Sequence, residues 1–156
     1  SGNPPYSVHV FCLGGKEDDI ASCLADKVAA GISLTGSKEV QAKDATGEVK
    51  KINFDYATDK PIYARVKIRT TDEWNADDGA DYVKQEIADY INSLLMDGTV
   101  YLTKIYPSIY SIEGVGEALV EIGTDPEHLA DKDIHTQPFE AVSCDTRNIE
   151  VVVNGI

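Results

Sequence analysis

Residues 61–70 read Pro61-Ile62-Tyr63-Ala64-Arg65-Val66-Lys67-Ile68-Arg69-Thr70. Ile62, Ala64, Val66 and Ile68 alternate strictly with Tyr63, Arg65, Lys67 and Arg69. A period of two belongs to a strand with one face buried and the other wet. This strand opens the second half of the chain, and Thr58-Asp59-Lys60-Pro61 before it divides the pattern in two.

Downstream, the polar run Thr70 to Asp78 predicts a loop and Gly79 to Met96 a helix, ended by Gly98. Val83, Ile87, Tyr90, Ile91, Leu94 and Leu95 share one helical face, so Ile87, Ile91 and Leu94 are expected to pack against the Ile62–Ile68 strand. Thr99 to Ile105 reads as a short strand, and Pro107 to Ile112 as one or two helical turns. Gly114-Val115-Gly116 predicts a turn into a strand carrying Ala118, Val120 and Ile122. Residues 123–142 are a long polar excursion, and Asn148 to Val153 is a closing strand.

Upstream, Ser7 to Leu13 predicts a buried strand broken by Gly14-Gly15. A helix over about Asp18 to Ala30 follows, with Ile20, Cys23, Leu24 and Val28 inward and Gly31 past its end. Glu39 to Lys43, the turn Asp44-Ala45-Thr46-Gly47, and a return strand with Ile52, Phe54 and Tyr56 inward make a hairpin. The expectation is an α+β chain of two small subdomains. Residues 3–59 form a β-α-β-β unit, and residues 60–156 form a β-α-β-β type unit with a long loop excursion.

The 156 residues carry 27 Asp and Glu against 14 Lys and Arg, a net charge of −13. Such a surface repels phosphate backbones and anionic lipid, which argues against nucleic-acid and membrane partners. No apolar run reaches the ~20 residues a spanning helix needs, and the start lacks the pattern of a signal peptide. Ser1-Gly2 reads as a remnant of tag removal, so an excised piece of a larger protein is expected. Cys12, Cys23 and Cys144 are widely spaced with no C-x-x-C pair, as expected of buried thiols in a reducing compartment.

Gly14-Gly15 lacks the further glycines of a nucleotide fingerprint, and Glu17, Asp18 and Asp19 would repel a phosphate, leaving a tight turn. His128, Asp131, Asp133 and His135 have the spacing of a metal site but sit in a polar loop with nothing to fix their geometry. Asp72, Glu73, Asp77, Asp78 and Asp81 lack the spacing of a calcium loop and suit a helix start instead. His9 reads as a core or edge residue. No nucleophile motif is present, so no catalytic, cofactor-binding or metal residue is assigned. Eight tyrosines and Trp74 outnumber three phenylalanines, and tyrosine is favoured at interfaces. Tyr63, Arg65 and Lys67, with Tyr106 and Tyr110, are the candidate docking surface. The basic stripe suits an acidic neighbour, such as another copy's Asp72 to Asp81 segment.

Taken in order, these features resemble the baseplate J-like proteins of contractile phage tails. The similarity runs through Ser7-Val8-His9-Val10, Gly14-Gly15, Asp19-Ile20-Ala21, Ala29-Ala30-Gly31-Ile32 with Thr35-Gly36, and Asp44-Ala45-Thr46-Gly47. It continues through Ile52-Asn53-Phe54-Asp55, Pro61-Ile62-Tyr63-Ala64, Leu94-Leu95-Met96-Asp97-Gly98, Ile112-Glu113-Gly114-Val115 and Asn148-Ile149-Glu150-Val151. The order and spacing of these segments are specific, and no single one is. Val28-Ala29-Ala30 departs from the more basic or proline-marked stretch usual there. The resemblance implies a C-terminal portion of a structural wedge component without catalysis. It would sit in the virion tail baseplate, after assembly in the bacterial cytoplasm, among other baseplate proteins and further copies of itself. Rival expectations are a metal-dependent enzyme domain using the His128–His135 loop and a bacterial surface or adhesion module.

Overall fold

The computed structural model describes residues 5–29, 31–96 and 98–156. Ser1-Gly2, the first two residues of the expected 3–59 subdomain, Ala30 and Asp97 lie outside the described residues. The chain is α+β and divides into two compact units between Ala57 and Thr58.

The first unit contains β1 (Ser7–His9), β2 (Phe11–Cys12), α1 (Glu17–Lys27), β3 (Ser33–Thr35), β4 (Lys38–Lys43) and β5 (Val49–Tyr56). The single strand expected over Ser7–Leu13 is two short ones. β1 runs parallel to β3, while β2 runs parallel to β5. Changing partner at Val10, whose carbonyl accepts from Asp55 N at 3.0 Å, interrupts the ladder. The segment is half-buried rather than buried, with Val8 and Leu13 exposed.

α1 ends at Lys27, because Val28 already has extended dihedrals and Gly31 then turns the chain into β3. Its buried residues are Ala21 and Ala25, flanked by half-buried Ile20 and Leu24. Cys23, expected on the inner face, is exposed, since it lies two residues from each buried alanine and so on the opposite side. The small alanines let α1 approach β4 and β5 closely. The β4–β5 hairpin pairs Val40 with Ile52, and Ile52 and Phe54 are core residues. In its turn, Asp44 accepts from Thr46 N at 2.9 Å, Thr46 Oγ1 at 2.6 Å and Glu48 N at 3.0 Å. Gly47 takes φ +86 there.

The second unit contains β6 (Thr58–Pro61), β7 (Tyr63–Thr70), α2 (Gly79–Asn92), α3 (Leu102–Tyr110), β8 (Val115–Gly123), β9 (Glu140–Ser143) and β10 (Ile149–Val153). Its main sheet has the order β10-β7-β8, with β10 parallel and β8 antiparallel to the central β7. β6 pairs in parallel with β9. The long excursion is therefore partly strand, and residues 130 and 134 also make isolated bridges to Ile122 and Val100.

One core joins Ile62, Ala64, Val66 and Ile68 with Val83, Ile87, Ile91, Ile105, Ile109 and Val120. Leu94 packs partly against it, while α2 itself lies closest to α3, β10 and β9. α2 stops at Asn92, so Leu95 falls outside the helix at φ +57 and is exposed. The strand expected over Thr99–Ile105 is instead the start of α3. Leu102, Ile105, Tyr106 and Ile109 follow helical spacing, and Ile105 and Ile109 are fully buried. Pro107 is carried inside that helix.

Trp74 closes the start of α2. A Cβ on Gly79 would lie 2.6 Å from its ring, and one on Gly114, which has φ +89, 2.3 Å from its Cα. No described helix is long and apolar enough to cross a membrane.

Candidate functional site

The alternation of β7 puts Tyr63, Arg65, Lys67 and Arg69 on the face of the sheet away from the core. Strand register places Glu117, Leu119 and Glu121 of β8 beside Arg69, Lys67 and Arg65. On the other side, Glu150 and Val152 of β10 stand beside Arg65 and Lys67. Arg65 Nε donates to Glu150 Oε2 at 2.8 Å, and Arg69 Nη1 lies 2.9 Å from Glu117 Oε2. The hydrogen bond to Glu150 and its charge hold the Arg65 guanidinium pKa above its usual value, with Glu121 and Glu127 adding to it.

The two arginines thus meet carboxylates of the neighbouring strands, and most of the basic stripe expected from the strand alone is neutralised. Lys67 differs. It stands between Leu119 and Val152, and no ion pair to it is found among the described residues. Tyr63 is half-buried opposite Gly123, and a cleft of about 250 Å3 beside it is bounded by Pro126, Leu129 and Arg147.

Tyr106 and Tyr110 lie elsewhere, along the outer edge of β8. Val120 N donates to the Tyr106 hydroxyl at 3.0 Å, and Ala118 N donates to the Tyr110 hydroxyl at 3.0 Å. The two rings stack with centroids 6.4 Å apart, one helical turn from each other. Ile122 completes the row by exchanging backbone hydrogen bonds with Ala130. The five candidate residues therefore split into a mixed-charge sheet face and a pair of tyrosines whose hydroxyls already cap a strand edge.

The His128–His135 residues are also drawn apart. His128 Nδ1 pairs with Asp125 Oδ2 at 2.9 Å, and His135 Nδ1 lies 3.3 Å from Thr99 Oγ1. Asp133 Oδ1 accepts from Leu102 N at 2.9 Å, and Tyr90 Oη accepts from Tyr101 N at 3.1 Å. These two side chains tie down orphan amide groups at the start of α3. Among the described residues, no three His, Cys, Asp or Glu side chains are grouped to hold a metal. In the Asp72–Asp81 segment the turn is organised by Asn75, whose Oδ1 accepts from Asp77 N and Asp78 N.

One constellation escaped the sequence. His9 Nε2 lies 2.6 Å from Asp55 Oδ2, while Ser37 N and Oγ both donate to Asp55 Oδ1. The Ser37 bonds, then the His9 bond, hold the Asp55 carboxyl below its usual pKa. Because serine and imidazole bind separate oxygens of one carboxylate, His9 does not stand as a base for Ser37. The arrangement locks β1 and the Gly36–Ser37 turn onto β5. Only the strand pairing brings these residues together, so no spacing could have announced them.

Cys12 and Cys23 line one shallow groove on the first unit, and burial, then Cys23, raises the Cys12 thiol pKa. Burial pushes Cys144 up to about 11. Neither thiol has the lowered pKa of an activated nucleophile.

No protein-family model matches the chain, and no curated protein is significantly similar to it.

Proposed function

We propose that this chain is a structural assembly module of a contractile phage-tail baseplate, acting through protein contacts and not through catalysis. What supports the proposal is the resemblance, in the order and spacing of segments after residue 6, to baseplate J-like proteins. The side chains support it in a second way. The polar residues best suited to chemistry serve the fold: Asp133 and Tyr90 at α3, Tyr106 and Tyr110 at β8, Asp55 between β1 and β5. Surface left for a partner includes Lys67 with Leu119, which is 49% exposed, on the open sheet face.

Deleting the coding segment from its parent genome tests the role. Tail tubes lacking complete baseplates are expected by electron microscopy, with normal particles restored by supplying the protein. Normal numbers of complete tails from the deletion would refute it. Lys67→Glu is the cleaner probe of the face, because Arg65 already bonds Glu150. It should reduce assembly while leaving the unfolding temperature of the chain unchanged.

A further inference from the structure

The two edges of the β10-β7-β8 sheet are treated differently. Along β8, Ala118 N, Val120 N and Ile122 all find partners in Tyr110, Tyr106 and Ala130. Along β10, β7 is the only strand partner among the described residues; Ile149 N donates to Thr146 O at the strand's start, and over Glu150–Val153 no other backbone bond leads away from β7 among the described residues. Its sequence, Ile-Glu-Val-Val-Val, is rich in β-branched residues and has no proline or lysine. Those are devices by which exposed edges avoid pairing, and β10 uses neither. Its one charge, Glu150, is taken up by Arg65 of β7.

We propose that β10 pairs with β10 of a second copy of this chain, antiparallel about a two-fold axis through Val151, joining two three-stranded sheets into one. The register follows from faces and charge. Centring on Val151 sets Glu150 opposite Val152 of the second copy and Ile149 opposite its Val153, so residues of one parity stay on one face. Ile149 and Val151 then continue the core side, and Glu150 and Val152 the open side. Centring on Glu150 instead would place two carboxylates directly opposite each other, which is unfavourable.

In the Val151-centred register, the open face reads Arg65 and Glu150 of one copy, then Val152 and Lys67 of the second. Two strand spacings, about 10 Å at the backbone, separate Glu150 from the Lys67 of the second copy. Extended Glu and Lys side chains span that distance, so Lys67 meets a carboxylate that its own chain does not supply. This inference does not rest on the baseplate reading. A five-residue edge buries less than an ordinary stable interface of roughly 1,200–2,000 Å2, so the pairing is weak and is measured at high protein concentration.

Paired substitutions at Val152 separate association from folding. Within the chain, residue 152 stands beside Lys67; across the two-fold it stands opposite Glu150. Val152→Glu is therefore favourable inside the fold and repulsive between copies, while Val152→Lys has the opposite signs. Sedimentation equilibrium of the full chain should give a dissociation constant roughly tenfold higher for Val152→Glu than for wild type, since two like-charged pairs arise by symmetry. Val152→Lys should associate at least as tightly as wild type. Unfolding temperatures should rank the variants in the reverse order. Amide exchange at Val151 and Val153, whose N–H groups point away from β7, should slow in the wild type as concentration rises. Equal dissociation constants for the two variants, or β10 exchange independent of concentration up to the millimolar range, would overturn the proposal.

Discussion

Tyr106→Phe removes one oxygen and leaves the ring that stacks on Tyr110. In the folded chain that oxygen accepts from Val120 N, and Val120 is 1% exposed on the edge strand β8. Water has poor access to the freed amide, so the cost is that of a buried donor left unpaired, about 1–3 kcal/mol. Tyr110→Phe frees Ala118 N in the same way, but Tyr110 is 46% exposed. Water can replace its hydroxyl, and the expected loss is about 0.5–1 kcal/mol. For a unit of about 100 residues, each kcal/mol lowers the melting temperature by roughly 4–8 °C.

Denaturant and thermal unfolding of both variants, with amide exchange resolved at Val120 and Ala118, measure these effects. Tyr106→Phe should be the more damaging, and its Val120 amide should lose protection locally. If Tyr106→Phe unfolds like the wild type with Val120 still protected, the hydroxyl is not the edge cap described, and Tyr106 returns to the list of docking candidates. The same measurement thus separates a structural tyrosine from an interfacial one.

Further outcomes follow from the second unit's core and from the charged turns. Ile87→Ala and Ile91→Ala each truncate a fully buried side chain, so each should cost about 2–5 kcal/mol in denaturant unfolding; unchanged stability would refute the packing of α2. Asn92 Oδ1 accepts from Cys144 N and its Nδ2 donates to Cys144 O, both at 2.9 Å. Asn92→Ala breaks both bonds at once and should cost about 2–3 kcal/mol, and Asn92→Asp should not restore the wild-type stability, because it sets a carboxylate oxygen against the Cys144 carbonyl. Acidification should act through carboxyls whose pKa folding lowers: Asp44, where the Thr46 hydroxyl bond leads, and Asp145, where the Arg147 side chain leads, both to about 2, with Asp55 also lowered. Lowered pKa values stabilise the fold fully above the unfolded value near 3.8 and lose that contribution as pH falls towards 2. Asp44→Asn and Asp145→Asn should flatten the fall in melting temperature below about pH 4, and wild-type slopes in those variants would contradict the assignment.

The elements that declared themselves in the sequence were those whose pattern is local. Ile62 to Ile68 alternated, and Ala64, Val66 and Ile68 formed β7's buried side with Ile62 just before it, and the Asp44–Gly47 turn carried its own hydrogen-bonding chemistry. α3 was obscured because Thr99 to Ile105 is too short to separate a period of two from a period of 3.6, and because Pro107 suggested an interruption. The four-residue spacing of Ile105 and Ile109 was the available signal. β6 and β9 had no local signature: Thr58–Pro61 is polar and ends in proline, and it becomes a strand only by pairing with a segment some eighty residues on.

Candidate binding residues were legible as types but not as surroundings. Alternation placed Tyr63, Arg65 and Lys67 on one face of β7, yet their charge balance depends on Glu117, Glu121 and Glu150, supplied by strands distant in sequence. Once β8 and β10 flank β7, Arg65 and Arg69 are held by carboxylates, and exposed ion pairs of this kind contribute little energy, about 0–1 kcal/mol each. Breaking them to admit an acidic partner would exchange one solvated pair for another. A partner gains more from groups not yet satisfied, and on this face those are the Lys67 ammonium and the exposed part of Leu119 beside it. Docking there would select a carboxylate framed by apolar side chains, not a broadly acidic surface. Lys67→Met, which keeps the stem and removes the charge, should therefore weaken assembly more than Arg69→Met does, and equal effects of the two would point to another surface.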